Sequence, residues 1–369
     1  MELGEYINDG IKNLAASLSK FYLTNVKGIK FLKDFVPELK RSMKRREELE
    51  RTGQHVPPFL IASIASGCNL RCKGCYARAG GLCESKNAEE ECDEKFETIR
   101  EMNVEQWGNV FQQASDIGVS FILLAGGEPM LRRDVLKSAT EFKNMIFPVF
   151  TNGTLIDGEY IQMFDDNRNM FPVFSMEGDR ENTDERRGAG VFQRLENAMA
   201  QLRRRKVIFG VSITVNKENL EEVTSYEFLK ELHEKGCGVV FYIEYVPAQE
   251  GTEDLALSKE QAEKLIAKGE RLKKQYSDMS VLLFPGDEKY MGGCLAAGRG
   301  FFHINPKGGA EACPFAPYSR WNVREHSLLE IVNSSFFERV RELEKKGVEN
   351  HLGGCTLFNY KDEMKLLAE

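Results

Sequence analysis

The chain has 369 residues, of which 42% are hydrophobic, 10% aromatic and 29% charged. This composition is typical of a folded globular protein and excludes disorder over most of the chain. Fifty basic against 57 acidic residues give a formal net charge of −7, which argues against nucleic-acid binding, since that function usually needs a basic surface. No apolar run reaches the roughly 20 residues that span a bilayer. The first residues also lack a signal-peptide pattern, so we expect a cytoplasmic protein.

The cysteine content is the most informative part of the composition. The chain has nine cysteines, an odd number. In a chain expected to be cytoplasmic, this argues against a disulfide framework and favours metal or redox chemistry.

Residues 1–56 differ in pattern from the rest of the chain. Apolar side chains recur at helical spacing over 7–21 and again over 29–43. Pro37 stands where a new helix can begin. Residues 27–46 hold eight basic side chains against only Asp34 and Glu38. A basic amphipathic helix can lie on an anionic membrane surface or on an acidic partner. The alternative is that its apolar face caps the main domain and its charges lie in solvent.

From residue 60 onwards, strand-like and helix-like segments alternate. The predicted strands are 60–65, 119–125, 146–150, 171–176, 208–215 and 239–246. The predicted helices lie near 105–117, 132–144, 157–167, 191–205 and 219–235. This alternation predicts an α/β fold of parallel strands with the helices outside. Six units are two short of a closed eight-stranded barrel, so we predict an open, partial (β/α)6 barrel.

The alternation ends after the sixth strand. Ser258 and Gln261 form a capping-box pair at the start of an amphipathic helix that runs to Tyr276. Beyond Pro285 the sequence becomes glycine-rich and irregular. We therefore predict an N-terminal helical extension (1–56), a partial barrel (57–250), a linking helix and strand (251–286) and a small C-terminal cysteine module (287–369).

The first predicted strand is followed by three closely spaced cysteines, Cys68, Cys72 and Cys75. Thiolates are the usual protein ligands of iron–sulfur clusters, and three ligands for four irons leave one iron open to a small molecule. A zinc site would need four ligands, normally two paired-cysteine knuckles, and no second knuckle follows nearby. The spacing predicts a [4Fe–4S] cluster.

This Cys-x3-Cys-x2-Cys stretch, followed by the aromatic Tyr76, resembles the signature of the radical S-adenosylmethionine (SAM) superfamily. The resemblance implies that the open iron of the cluster binds the amino and carboxylate groups of SAM. It also implies reductive cleavage of SAM to a 5′-deoxyadenosyl radical, which abstracts hydrogen from the substrate. The protein's part would be to position cofactor and substrate and to exclude side reactions.

Further motifs follow the next strands. Gly126, Gly127 and Glu128, with Pro129, resemble the superfamily's GGEP motif, which implies binding of the cofactor's amino group. Ser175-Met176-Glu177-Gly178 is similar to the S-x-D/E-G segment, so Ser175 and Glu177 are candidates for the ribose and carboxylate end of the cofactor.

Three polar residues near later strands are further candidates. Arg187 can pair with the methionine carboxylate, or it is a surface charge. Thr214 ends the fifth strand and is a further cofactor-binding candidate. Glu244 lies inside the apolar sixth strand, so it needs a polar partner or a polar lumen. We expect it to face the lumen, with a solvent-exposed strand edge as the alternative.

The C-terminal segment carries Cys294, Cys313 and Cys355, and the run C-x13-G-x4-C resembles the opening of the SPASM/twitch extension of radical SAM enzymes. That extension carries auxiliary iron–sulfur clusters on seven cysteines. Three cysteines predict a single auxiliary [4Fe–4S] cluster with an open iron or a non-cysteine fourth ligand such as His303, His351 or an acidic side chain. A histidine ligand is unusual, and we interpret both histidines as structural. The alternative is three buried thiols without metal.

The other cysteines need no metal. Cys83 and Cys92, in a polar loop, are interpreted as free thiols or an artefactually oxidised pair, with a role as metal ligands as the alternative. Cys237 is interpreted as a small apolar residue that enters the sixth strand.

These motifs predict a radical SAM oxidoreductase with an unidentified small-molecule or peptide substrate. A reductase or a flavodoxin- or ferredoxin-type protein would donate the electron, and no nucleic acid is involved. One alternative is a lipid or membrane-associated substrate, reached through the N-terminal helices by a protein peripheral to the membrane. Another is a non-catalytic iron–sulfur carrier or sensor, which would not need the GGEP and Ser175–Gly178 segments.

Overall fold

The computed structural model of the chain describes residues 19, 21–23, 25–81, 100–284, 293–349 and 355–368. Its centre is one ten-stranded sheet. The strands are β1 (Phe59–Ala65), β2 (Phe121–Gly126), β3 (Phe147–Thr151), β4 (Met170–Met176), β5 (Phe209–Val215), β6 (Cys237–Glu244), β7 (Ser280–Phe284), β8 (His303–Ile304), β9 (Gly309–Cys313) and β10 (Ala316–Asn322). All six predicted strands are present within about two residues of their predicted bounds.

The sheet order is β10-β9-β8-β1-β2-β3-β4-β5-β6-β7. Strands β1 to β7 are parallel neighbours in chain order, β8 is parallel to β1, and β9 is antiparallel to β8 and β10. The predicted α/β fold with an open, partial barrel is confirmed. It extends beyond the six predicted barrel strands at both edges, with β7 beside β6 and the run β8-β9-β10 starting beside β1.

Helices connect and cover the strands. They are α1 (Val26–Arg51), α2 (Tyr76–Ala79), α3 (Val104–Ile117), α4 (Arg133–Thr140), α5 (Gly158–Asp166), α6 (Arg180–Arg187), α7 (Val191–Arg204), α8 (Leu220–Val223), α9 (Tyr226–Lys235), α10 (Lys259–Leu272), α11 (Leu328–Val332), α12 (Ser335–Glu349), α13 (Thr356–Asn359) and α14 (Lys361–Ala368). The predicted capping box of Ser258 and Gln261 starts α10. The single helix predicted over 219–235 is two helices, because the Ser225 side chain accepts a hydrogen bond from the Phe228 amide and caps α9.

Helix α1 closes the amino-terminal end of the barrel. Its buried Phe35 and Leu39 pack against Phe121, Phe171 and Ile208, which lie at or beside the starts of β2, β4 and β5. Pro37 does not start a new helix as expected, because α1 runs through it. The packing of Phe35 and Leu39 on either side compensates for the backbone hydrogen bond that proline cannot donate. The helix predicted over 7–21 lies almost entirely outside the described residues.

The C-terminal strands are part of the barrel sheet, since β8 pairs with β1, and α14 packs on β10. The boundaries drawn at 56, 250 and 286 remain a prediction. Among the described residues, no helix is both long and apolar enough to cross a membrane.

Candidate active site

The three-cysteine loop leaves the carboxyl end of β1 and ends at α2. Cys68, Cys72 and Cys75 are each partly buried. The Leu70 amide lies 3.5 Å from Cys68 Sγ and donates to it, and Arg78 Nη2 donates to Leu70 O at 2.7 Å. The loop is therefore held by its own backbone and by the helix that follows it.

The chemistry of this loop fits an iron–sulfur cluster. Burial raises the pKa of the Cys72 thiol, while Arg187 and Arg186 lower it and the neighbouring thiols of Cys75 and Cys68 raise it. The three thiols and the two arginines are thus close enough to affect the pKa of Cys72. In the described part of the chain, no three His, Cys, Asp or Glu side chains are grouped as around a single ion. A cubane takes one thiolate per iron, so its ligands stand farther apart than those of one ion.

The GGEP segment lies directly against the cysteine loop. A Cβ on Gly126 would be 2.4 Å from Ala65 O, and one on Gly127 would be 2.2 Å from Gly67 O. The Gly127 amide donates to Ala65 O at 2.7 Å, and the Glu128 amide donates to Gly67 O at 2.8 Å. Glycine is required at both positions because any side chain would push β2 away from the cluster loop.

The Glu128 carboxylate points into the protein and is 1% exposed. Its Oε1 accepts from the Met130 amide at 2.9 Å and the Thr151 hydroxyl at 2.7 Å, and its Oε2 accepts from the Asn152 amide at 2.8 Å. Burial raises the pKa of Glu128 to about 7, although these three donors act in the opposite direction. The structure shows this side chain fastening the end of β3 to the GGEP turn. Its predicted contact with the cofactor remains a prediction.

Glu177 and two arginines form a buried ion-pair cluster next to the cysteine loop. Arg186 and Arg187 both donate to Glu177 Oε1, with Arg187 Nε at 2.9 Å. Burial lowers the pKa of Arg187, but Glu177 and Cys72 raise it more, so the guanidinium stays charged. Arg187 is thus no surface charge, and its partner here is Glu177 rather than a ligand. Arg186 was missed from the sequence, where its only signal is that it precedes Arg187.

The remaining cofactor candidates lie on the lumen side of their strands. Ser175 shares a strand face with Phe171 and Val173, and Thr214 shares one with Ile208. Asn219 Nδ2 donates to the main-chain oxygens of both Glu177 and Thr214 at 2.9 Å. The structure therefore brings the ends of β4 and β5 together.

Glu244 neither faces the lumen nor lies at a solvent-exposed edge, so both expectations for it were wrong. It shares a face of β6 with Tyr242, whose hydroxyl donates to Val223 O in the outer helix layer. The side chain is 8% exposed. It lines a cavity of about 190 Å³ together with Ser258, Ala262 and Cys355.

The C-terminal cysteines come from three separate segments. Cys294 and Cys313 are buried, and the Ala297 amide donates to Ala312 O at 3.1 Å, which joins their two loops. Cys355 precedes α13 at the cavity beside Glu244. Phe315, just after Cys313, packs on Tyr76 with ring centroids 5.0 Å apart, so this segment contacts the first cysteine loop.

His303 is not available as a cluster ligand. Its Nδ1 lies 2.7 Å from Glu311 Oε2 and its Nε2 lies 2.7 Å from Ser63 Oγ, and the side chain is fully buried. Cys237 begins β6 and is buried as predicted, and burial raises its pKa to about 12. His351, Cys83 and Cys92 lie outside the described residues.

Comparison with known proteins agrees with this geometry. The model of the Radical SAM superfamily matches residues 62–229, which span the cysteine loop, the GGEP turn and the Glu177 cluster. Residues 62–229 therefore match a radical SAM domain, and members of that superfamily are enzymes that bind a [4Fe–4S] cluster and SAM.

Similar proteins point to the SPASM/twitch-like branch. The chain is 28% identical over 335 residues to AdoMet-dependent heme synthase of Methanosarcina barkeri, covering 82% of this chain and 89% of that protein. It is 25% identical to PqqA peptide cyclase of Rhizobium meliloti, covering 84% and 86%. The fold is similar to that of Streptococcus suis SuiB bound to precursor peptide SuiA, with a TM-score of 0.61, 17% identity and coverage of 81% and 70%.

Proposed function

We propose that the protein is a radical SAM oxidoreductase that reductively cleaves SAM and abstracts hydrogen from a peptide or small-molecule substrate. The observation that supports this most is the meeting of three elements at the carboxyl ends of β1, β2 and β4. These are the cysteine loop, the GGEP turn and the Glu177–arginine cluster. The similarity to enzymes along most of the chain argues against a non-catalytic carrier.

We assign the residues of this site as follows. Cys68, Cys72 and Cys75 hold the cluster, which with SAM supplies the reductive cleavage. Gly126 and Gly127 let the backbone of the GGEP turn approach the cysteine loop closely, while Glu128 fixes the position of that turn. Arg186 and Arg187 balance the negative charge of thiolates and of Glu177. Ser175 and Thr214 offer hydroxyl groups at the lumen rim for the sugar of the cofactor.

We further propose one auxiliary [4Fe–4S] cluster on Cys294, Cys313 and Cys355, and a reductase or a flavodoxin- or ferredoxin-type electron donor. The support for the cluster is that Cys294 and Cys313 lie on joined loops, and that their segment packs on Tyr76 of the first cysteine loop. His303 was one candidate for the fourth ligand of this cluster. In the structure both of its ring nitrogens already have hydrogen-bond partners.

A membrane-associated substrate is the second candidate. Leu23, Val26 and Ile29 are 62%, 83% and 47% exposed at the start of α1 and lie near the exposed Lys30 and Lys33. This patch can contact an anionic lipid surface. However, α1 closes the amino-terminal end of the barrel, opposite the cysteine loop, so a lipid held there would not meet the site.

The experiment is anaerobic reconstitution, chemical reduction and chromatographic measurement of 5′-deoxyadenosine. Iron porphyrins are tested because of the similarity to heme synthase, and peptides encoded beside the gene because of the similarity to PqqA peptide cyclase. We expect one class to raise 5′-deoxyadenosine release above the substrate-free rate and to be modified itself. An iron-loaded, SAM-binding protein that releases none under any condition would contradict the proposal.

A further inference from the structure

Gly74 lies in the middle of the cysteine loop, and a side chain that is distant in sequence packs against it. A Cβ at Gly74 would lie 2.2 Å from the hydroxyl oxygen of Tyr245 and 3.0 Å from its ring carbons. Gly74 also has a φ of +67°, a conformation that favours glycine. Tyr245 directly follows β6 and is 3% exposed. The missing side chain of Gly74 is thus the space that the Tyr245 ring fills.

The segment that follows Tyr245 holds the same glycine from its amide side. The Gly74 amide donates to Gln249 Oε1 at 3.0 Å. The Tyr245 hydroxyl donates to Thr252 Oγ1 at 2.8 Å, and the Thr252 hydroxyl donates to Gln249 O at 2.5 Å. Tyr245 and Gln249 are therefore fixed to each other through Thr252, and together they contact both the side-chain position and the amide of Gly74.

A third element completes the enclosure. The Lys73 amide donates to Arg186 O at 3.1 Å, and Arg186 Nε donates to Lys73 O at 3.1 Å. The Arg186 guanidinium lies 5.9 Å from the centre of the Tyr245 ring, within reach of a cation–π contact. The two residues between Cys72 and Cys75 are thus both clamped, Lys73 by α6 and Gly74 by the segment after β6.

We propose that Tyr245 and Gln249 are positioning residues for the cluster: they hold the Cys72–Cys75 turn so that both thiols present to the same cubane. The physical reason is conformational entropy. If Lys73 and Gly74 were mobile in the metal-free protein, fixing them when Cys72 and Cys75 bind the cluster would cost conformational entropy. A loop fixed beforehand avoids that cost. The inference rests on the cluster of the radical SAM domain. It does not depend on the auxiliary cluster or on the identity of the substrate.

The test compares Tyr245→Leu and Gln249→Ala with Tyr245→Phe and with Tyr242→Leu. Tyr242 lies three residues earlier on β6, is equally buried and faces the outer helices. It therefore controls for general loss of packing. Each reconstituted protein is challenged with an iron chelator, and the decay of the cluster's visible absorption is followed. Outer-shell partners of metal ligands typically contribute 10- to 100-fold in metal affinity, so we expect Tyr245→Leu and Gln249→Ala to lose iron about ten times faster than the wild type.

Tyr245→Phe keeps the ring over Gly74 and should retain iron at close to the wild-type rate. Tyr242→Leu should lower the melting temperature without changing the rate of iron loss. Equal rates for Tyr245→Leu, Gln249→Ala and the wild type would overturn the proposal. So would a Tyr242→Leu protein that loses iron as fast as Tyr245→Leu.

A second measurement is independent of metal loading. In the metal-free protein, we expect alkylation of Cys72 and Cys75, read by peptide mass spectrometry, to be faster in Tyr245→Leu than in Tyr242→Leu. If the wild type binds no iron, the domain assignment fails, yet this comparison still tests the clamp. Gly74→Ala should speed alkylation too, and the effect should be smaller in the Tyr245→Leu background, because the clash is then gone. Purely additive effects would show that the two residues do not act together.

Discussion

Replacing Glu128 by glutamine should change how the stability of the protein depends on pH. The folded-state pKa of Glu128 is raised by burial to about 7, from an ordinary value of 4.5. An acid with a raised folded-state pKa binds its proton more tightly in the folded than in the unfolded chain. It therefore contributes stability that is fully present below pH 4.5 and is lost as pH rises through about 7. The difference in pKa corresponds to roughly 3 kcal/mol.

Glutamine removes the titration but not the shape. Its Oε1 can still accept from the Met130 amide and the Thr151 hydroxyl. Its Nε2 then faces the Asn152 amide, which now donates to Glu128 Oε2 at 2.8 Å. Two buried donors in contact cost about 1–3 kcal/mol, so Glu128→Gln should be less stable than the wild type at pH 4.5. This difference in stability should shrink or reverse by pH 8, because Glu128 of the wild type is then ionised and its buried charge destabilises the folded state.

The measurement is urea unfolding of wild type, Glu128→Gln and Glu105→Gln between pH 4.5 and 8. Glu105 is exposed in the first turn of α3 and serves as the control. The free-energy difference between wild type and Glu128→Gln should change by roughly 3 kcal/mol across this range, while that for Glu105→Gln should stay nearly constant. Parallel curves for all three would show that the three donors to the carboxylate outweigh its burial.

Three further outcomes follow from the site. Alanine at Cys68, Cys72 or Cys75 should abolish reductive cleavage of SAM, and a variant that releases 5′-deoxyadenosine at the wild-type rate would contradict the ligand assignment. Replacing the C-terminal cysteines together by alanine should remove about half of the iron and abolish substrate turnover but not substrate-free cleavage of SAM. Unchanged iron content in that variant, measured chemically and by Mössbauer spectroscopy, would contradict the assignment of an auxiliary cluster to these cysteines. If α1 contacts membranes, binding to anionic vesicles should weaken with salt, whereas equal partitioning onto neutral and anionic vesicles, or no binding at low salt, would leave α1 only its packing role.

The sequence predicted the barrel strands well because each is a short apolar run buried on both faces, bounded by polar or glycine residues. It failed where long-range packing decides. Pro37 lies inside α1 because Phe35 and Leu39, on either side of it, pack against the amino-terminal end of the barrel. A local sequence pattern cannot reveal that packing. Glu244 faces outward because its strand register is set by pairing with β5 and β7. A one-residue change of register would reverse that face.

The candidate site shows the same division between local and long-range information. The cysteines and the GGEP glycines are visible as motifs, since their chemistry depends on close sequence spacing. Arg186, Asn219 and Tyr245 are not, because each acts on a residue more than 40 positions away or through a main-chain atom. The one local signal for Tyr245 is indirect: Gly74, within the cysteine loop, leaves a space that some other residue has to fill.

The two oxygens of the Glu177 carboxylate differ in a way that internal packing does not explain. Oε1 accepts three N–H groups from Arg186 and Arg187. Oε2 is buried and has no hydrogen-bond partner among the described residues. An unpaired buried acceptor costs about 1–3 kcal/mol, and either arginine could lower this cost by bridging both oxygens in a bidentate pair. Instead both guanidinium groups donate to Oε1. This asymmetry supports the proposed role of Glu177 in binding the cofactor, because the hydroxyl and ammonium groups of SAM are hydrogen-bond donors that a free carboxylate oxygen can accept.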